Sequence, residues 1–387
     1  MFHYAVRFAE LIAVLGTFSG MAYHLVCIWS ANRFLQKKES GAAPDDAVGI
    51  SVLKPLKGTD PGMYEAFRSH CLQNYPNYEI IFGVSDPADP AIEVIARLKS
   101  EFPKRDIRLA ICTEILGTNV KVSNLVHMLR EARHEFVVVN DSDILVPPDY
   151  LARVASALSK PEVGLFTCLY RGRAADTLGS RLEALGIGTD FSAGVLVAQE
   201  LEGGLRFGLG ATLALRKRDL KSVGGFESML EYLADDYQVA AKLAELDLRV
   251  ELSDVIVDTF LPPYSLREFL HHQLRWGRTI RESRPWGYFG LVTTFGFAWA
   301  LLAVVVGQGA LWSWMLLGLS FAVRMSMAFA VGVRALRDPD LVPWFWLIPL
   351  RDVLAVFIWI ESLFGNKVRW RGEEFRLKKG KLLKITD

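Results

Sequence analysis

Two long stretches without a charged side chain limit what this chain can be. Leu11 to Ala31 gives 21 consecutive residues without Asp, Glu, Lys or Arg, and Pro285 to Val323 gives 39. At 1.5 Å per helical residue, 21 residues cover the roughly 30 Å hydrocarbon core of a bilayer. Lipid offers backbone amides no water, so a crossing segment must satisfy them itself as a helix. The chain is expected to hold a membrane at both ends, with a soluble unit between. Behind the first stretch come Asn32, Arg33, Lys37 and Lys38, with no clear small-x-small cleavage site. Both features favour a retained anchor over a cleaved signal peptide, and the basic residues place the soluble unit in the cytoplasm.

The second apolar region holds two crossings if Gly307, Gln308 and Gly309 form the turn. A third stretch, Leu341 to Phe364, carries Arg351, Asp352 and Glu361. Charges at that depth are costly unless they face protein or water. The tail from Gly365 to Asp387 has eight Lys or Arg against three Asp or Glu, so it too is expected in the cytoplasm. Three full crossings would put it outside. The third stretch is therefore expected to be re-entrant or interfacial.

Between the apolar ends, strand and helix patterns alternate. Gly49–Lys54, Tyr78–Val84, Ile107–Cys112, Phe136–Asn140 and Val163–Cys168 read as strands; Tyr64–Leu72, Ile92–Phe102, Val122–Ala132 and Tyr150–Leu158 read as helices. The alternation predicts an α/β fold with a largely parallel sheet covered on both faces. Ligands of such sheets sit beyond the carboxyl ends of the strands. A formal net charge of +1 gives no reason to expect nucleic acid. Cys27, Cys71, Cys112 and Cys168 show no metal or disulfide spacing and are expected to be reduced and buried.

Three acidic sites stand where chemistry is expected. The strand Phe136–Asn140 runs into Asp141-Ser142-Asp143, whose carboxylates suit Mg²⁺ or Mn²⁺; the same residues could merely cap a turn. After Tyr78–Val84 come Asp86 and Asp89; Asp86 suits a nucleoside contact, whereas Asp89 before Pro90 reads as a helix cap. Asp235-Asp236 precede a helical pattern; one could cap it and the other act as a general base. Finally, Ser265-Leu266-Arg267-Glu268 is a capping box opening a helix with Arg275-Trp276, followed by Arg278, Arg281 and Arg284. These arginines and Trp286 also suit a helix lying in the membrane interface.

In this order the motifs resemble those of the family 21 glycosyltransferases, the ceramide glucosyltransferases and their bacterial relatives. The likeness runs from Ser51-Val52-Leu53-Lys54-Pro55-Leu56-Lys57-Gly58 to Trp370-Arg371-Gly372. Asp86, Asp141 and Asp236 match the family's three aspartates, Asp143 completes a DxD, and Arg275-Trp276 match the end of its (Q/R)xxRW motif. Lys121 and Asn124 fall in a segment that resembles one of the family's, whose Lys and Asn lie near the donor. His272 stands where the family has Gln or Arg, which leaves open how the acceptor end is built. The hopanoid-associated glycosyltransferases are a similar sister group.

The resemblance implies a GT-A fold and an inverting transfer of a hexose, glucose first, from a UDP-sugar to a membrane lipid, ceramide or hopanoid. It implies Asp141 and Asp143 as metal ligands, Asp86, Lys121, Asn124 and Asp141 on the nucleotide, and Asp236, Arg275 and Trp276 as catalytic groups. It also implies a bacterial inner-membrane setting. The expected layout is an anchor over 8–32, a linker over 33–48, the catalytic domain over 49–264, an interfacial helix over 265–286, a membrane or re-entrant region over 287–364 and a basic tail over 365–387. A family 2 polysaccharide synthase and a membrane scaffold without turnover are the competing readings.

Overall fold

A computed structural model describes residues 2–37, 48–370 and 372–385, so most of the expected linker, with Lys38 and Arg371, lies outside the described residues. The central sheet has eight strands: β1 (Ile50–Leu56), β2 (Tyr78–Val84), β3 (Ile107–Ile111), β4 (Phe136–Val139), β5 (Ile144–Leu145), β6 (Val163–Arg173), β7 (Leu213–Arg216) and β8 (Arg249–Phe260). Their order is β3-β2-β1-β4-β7-β6-β8-β5. Strands β3, β2, β1 and β4 are parallel, as are β6 and β8. The apolar runs at β1 and β4 are buried at every position, as strands covered on both faces should be.

The mostly parallel α/β sheet expected from the alternation is therefore present. Two strands depart from it: β7 runs antiparallel to both β4 and β6, and β5 antiparallel to β8. Four and two residues long, they are too short for a readable period. Their effect is local to the site, because β5 and β7 flank the turn that leaves β4.

Among the described residues, three helices are long and apolar enough to cross a membrane, Tyr4–Gln36, Leu311–Ala335 and Pro339–Leu363. A bent pair, Pro285–Thr294 and Gly296–Val306, meets the same criteria together with a 51° break. These segments associate the protein with a membrane. The N-terminal helix packs against both Gly296–Val306 and Leu311–Ala328. At Gly20 and Gly296 the first two backbones approach so closely that a Cβ on Gly20 would fall 2.2 Å from the Gly296 Cα.

The Pro339–Leu363 segment meets the soluble part at both ends. Near its start, Arg171 donates to the Arg337 carbonyl (2.9 Å) and Arg173 pairs with Asp340 (3.4 Å). At its end, Arg278 donates to the Phe364 carbonyl (3.2 Å) and Arg281 to those of Ser362 and Gly365. Arg278 and Arg281 thus satisfy carbonyls that a helix C-terminus leaves without intrahelical partners. Their regular spacing serves this joint, and Arg284 pairs with Glu202.

The basic tail folds as a small antiparallel sheet, β9 (Lys367–Trp370), β10 (Glu373–Lys378) and β11 (Lys381–Lys384). Val368, Phe375, Leu377 and Leu382 enclose Leu233 in a separate small core. Hydrogen bonds from Leu233 N–H to Gly380 O (3.2 Å) and from Leu382 N–H to Glu231 O (2.7 Å) fasten the tail to the loop preceding Asp235.

Candidate active site

A cavity of about 1460 Å³ opens at the carboxyl ends of β1 and β4 and continues between the apolar helices. Its wall includes seven of the eight site residues read from the sequence: Lys121, Asn124, Asp141, Asp143, Asp236, Arg275 and Trp276. Asp86 is not among the lining residues. It lies exposed after β2 and accepts a hydrogen bond from the Ala88 N–H (2.8 Å). The neighbouring Ser85 hydroxyl donates to Asn124 (2.8 Å), so the loop carrying Asp86 is tied to the cavity wall. Asp89 is the cap expected of it, accepting from Ala91 N–H (2.8 Å), and it also holds Gly58 N–H (2.8 Å).

The Asp141–Asp143 turn follows β4 directly because Asn140 fixes it from below. The buried Asn140 amide donates to the Ala211 carbonyl (2.7 Å) and the Thr212 hydroxyl (3.1 Å). That ties the turn to the loop carrying Gly210. A Cβ at Gly210 would lie 3.1 Å from Asp236 Oδ2 and 3.9 Å from Asp141 Oδ2. Acids nearly a hundred residues apart in sequence thus border one small space that glycine keeps open.

Charge in this space is unevenly shared. Asp143 is held in place by the Thr259 hydroxyl; burial, then the nearby Asp141, push its pKa up to about 6. Asp236 accepts the Tyr237 N–H (2.8 Å); burial and then Asp235 push its pKa up to about 7. Asp235 is raised as well, chiefly by burial. Lys121 pairs with Asp141 (2.9 Å) and Asp235 (3.7 Å). Burial would lower the Lys121 pKa, but these carboxylates outweigh it and the net shift is upward.

Asp141 and Asp143 form an all-oxygen pair whose mutual repulsion a cation relieves. A hard divalent ion fits that donor set. Among the described residues no group of three or more His, Cys, Asp or Glu converges as a metal cage. The remaining coordination positions would fall to water or to oxygens of a bound substrate.

At the other end, Arg275 and Trp276 lie on the helix Leu266–Ser283, whose capping box at Ser265 and Glu268 is formed. The Trp276 ring lies 5.7 Å from Phe191 and 5.3 Å from His272. His272 stacks on Tyr264 at 5.4 Å and meets buried Glu183 at 3.1 Å. Gln273 donates to the other Glu183 oxygen (2.8 Å). Beyond them the wall turns apolar, with Val197, Leu201, Leu291, Phe295, Phe297 and Ile358 leading toward the membrane helices.

Comparisons with known proteins agree with this geometry. The family model described as Glycosyl transferase family 21 matches residues 12–383. The chain belongs to that family. As a family 21 glycosyltransferase it is an enzyme of sugar transfer. It is 24% identical to ceramide glucosyltransferase 1 of Caenorhabditis elegans, over 96% of this chain and 81% of that one. It is likewise 24% identical to ceramide glucosyltransferase 3 of the same organism, over 96% and 82%. Among solved structures it resembles the mannosyltransferase PcManGT of Pyrobaculum calidifontis, determined with GDP-Man and Mn²⁺. That likeness has a TM-score of 0.54 at 20% identity, over 92% of this chain and 99% of the other, and it supports the glycosyltransferase fold.

Several residues of this transferase's site escaped the sequence reading. Lys54, within β1, is fully buried and donates to the Asp141 carbonyl (2.9 Å); burial lowers its pKa to about 7 against the pull of Asp143 and Asp141. A lysine inside an apolar strand was the available signal. Asn140, Gly210, Thr259 and Glu183 gave no comparable one, because their roles arise from contacts distant in sequence. Arg369, Trp370 and Glu373 of the tail also line the cavity.

Proposed function

We propose that this enzyme transfers glucose from UDP-glucose to the primary hydroxyl of ceramide, with inversion at the anomeric carbon. One observation carries the reading: a single cavity joins a carboxylate cluster to an apolar chamber walled by membrane helices. A nucleotide sugar needs the first and a lipid acceptor the second. The two curated relatives named above are ceramide glucosyltransferases; the hopanoid reading finds no such support, and the family match speaks against a family 2 polymer synthase.

In this reading Lys121 and Asn124 at the wall and Asp86 at the outer edge hold the nucleotide. Asp141 and Asp143 would hold Mg²⁺ or Mn²⁺, whose charge offsets that growing on the diphosphate. Asp236 removes the proton from the acceptor hydroxyl, and its raised pKa keeps it basic enough for the task near neutral pH. Arg275 offsets charge on the departing nucleotide, with Trp276 packed beside it.

We also infer a topology. The Gly296–Val306 and Leu311–Ala335 helices form a hairpin through the bilayer, and Pro339–Leu363, bound to the soluble part at both ends, lies along the interface. The catalytic domain and the tail then share one side, the cytoplasmic face of a bacterial inner membrane, in accord with Arg33, Lys37 and the basic tail.

The test is direct. Purified enzyme in lipid nanodiscs with UDP-glucose, ceramide and Mn²⁺ or Mg²⁺ should yield β-glucosylceramide by mass spectrometry and NMR. Asp236→Asn should retain UDP-glucose binding while transfer falls roughly 10²- to 10⁴-fold. An α-linked product would end the inverting mechanism, and no glucosylceramide with either metal would end the assignment.

A further inference from the structure

Arginines and acids are rare beside membrane helices unless they serve one another or a ligand. Here a continuous polar chain runs along one wall of the cavity. Arg324 is fully buried and binds Asp352 (2.8 Å), Asp190 (2.7 Å) and the Thr189 hydroxyl (3.3 Å). Arg351 lies 3.8 Å from Asp190 and donates to the Gln273 amide oxygen (2.9 Å), and Gln273 donates to Glu183. Glu183 also meets His272, which stands one turn before Trp276. All of these residues line the same cavity as Asp236.

One member is built differently. The side chains of Arg324, Arg351 and Asp352 are 2%, 7% and 14% exposed, whereas that of Asp190 is 35% exposed. It sits in a π-helical turn, Ile187–Phe191, a rare geometry that recurs at functional sites. The turn aims the next residue, Phe191, at both Tyr170 (5.2 Å) and Trp276 (5.7 Å). Asp190 is thus the acid of the chain that opens onto the cavity, beside the aromatic groups near the reacting end.

Charge narrows the ligand class. Arg324 and Arg351 offset Asp190 and Asp352, and Glu183 adds a third acid, held by His272 and Gln273. A carboxylate that opens onto an otherwise apolar chamber accepts hydrogen bonds from neutral donors. We infer that Asp190 forms an acceptor-recognition subsite, taking a hydrogen bond from an amide N–H or secondary hydroxyl that neighbours the reacting hydroxyl of the lipid. The inference rests on the lipid-acceptor reading above and deepens it: a neutral lipid with such donors is selected, and one that has only the primary hydroxyl is not.

The test compares ceramide, 3-O-methylceramide, N-methylceramide and diacylglycerol as acceptors in nanodiscs, reading kcat/KM for each. A hydrogen bond to a charged group should favour ceramide by roughly tenfold to a hundredfold over at least one methylated analogue and over diacylglycerol. Asp190→Ala should compress that ratio to within about threefold, the expected loss being of this one bond. Asp352→Asn, which alters the network away from the opening, should keep the ratio. Equal use of all four lipids by the wild-type enzyme overturns the inference whether or not any variant folds. An unchanged ratio in Asp190→Ala, or an equal collapse in Asp352→Asn, overturns it too. If the wild-type enzyme ignores ceramide but glucosylates diacylglycerol, the ceramide assignment fails and takes this inference with it, an outcome distinct from loss of selectivity alone.

Discussion

The pH dependence of transfer should report Asp236 directly. Its pKa of about 7 comes first from burial and second from Asp235, with Lys121 opposing. A base with that pKa is ionised to roughly one eleventh at pH 6 and roughly ten elevenths at pH 8, so kcat/KM should rise about tenfold between them and about tenfold per unit below pH 6. Replacing Asp235 with Asn removes the second-largest cause, and the midpoint should move acidward. The same shift bears on stability in the opposite sense. The carboxyl is about 3.9 in the unfolded chain, so the stability its protonated form adds is complete below about pH 4 and gone above about pH 7. Asp236→Asn should therefore melt higher than wild type at pH 8 while transferring little. Initial rates across pH 5.5 to 8.5, with melting followed in parallel, check both. A flat profile, or a midpoint moving alkaline in Asp235→Asn, would refute the assignment of the base and of its environment.

Two further outcomes follow from the geometry. Gly210→Ala places a methyl 3.1 Å from Asp236 Oδ2 and 3.9 Å from Asp141 Oδ2, so transfer should fall at least about tenfold with the melting temperature nearly unchanged, measured by rates and thermal shift. Leu382→Asp puts a charge into the small core around Leu233, a change of the kind that costs several kcal/mol locally, and should raise the KM for UDP-glucose by loosening the loop before Asp235; a donor KM equal to wild type would detach the tail from the site.

Much of the site was legible because its residues stand where local pattern changes character. Asp141 and Asp143 follow the apolar strand Phe136–Val139, Asp235 and Asp236 open a helix, and Ser265 announces the helix bearing Arg275. The buried Lys54 could have been noticed as a polar interruption in β1. Gly210 could not, since glycines are common in loops and only the distances to Asp236 and Asp141 give this one meaning. The tail reads as a basic strip in sequence; its apolar positions Val368, Phe375, Leu377 and Leu382 alternate over strands too short to stand out.

By itself the sequence determined the membrane-held ends, the α/β middle and the identities of the acids, because length without charge and strand-helix periodicity are local properties that lipid and water read residue by residue. Tertiary structure decided which acids are pushed up in pKa, which arginines hold the end of a helix, and which aspartate of the polar chain is the most exposed. Those outcomes depend on burial and on neighbours distant along the chain, and proximity of that kind exists only after the chain has folded.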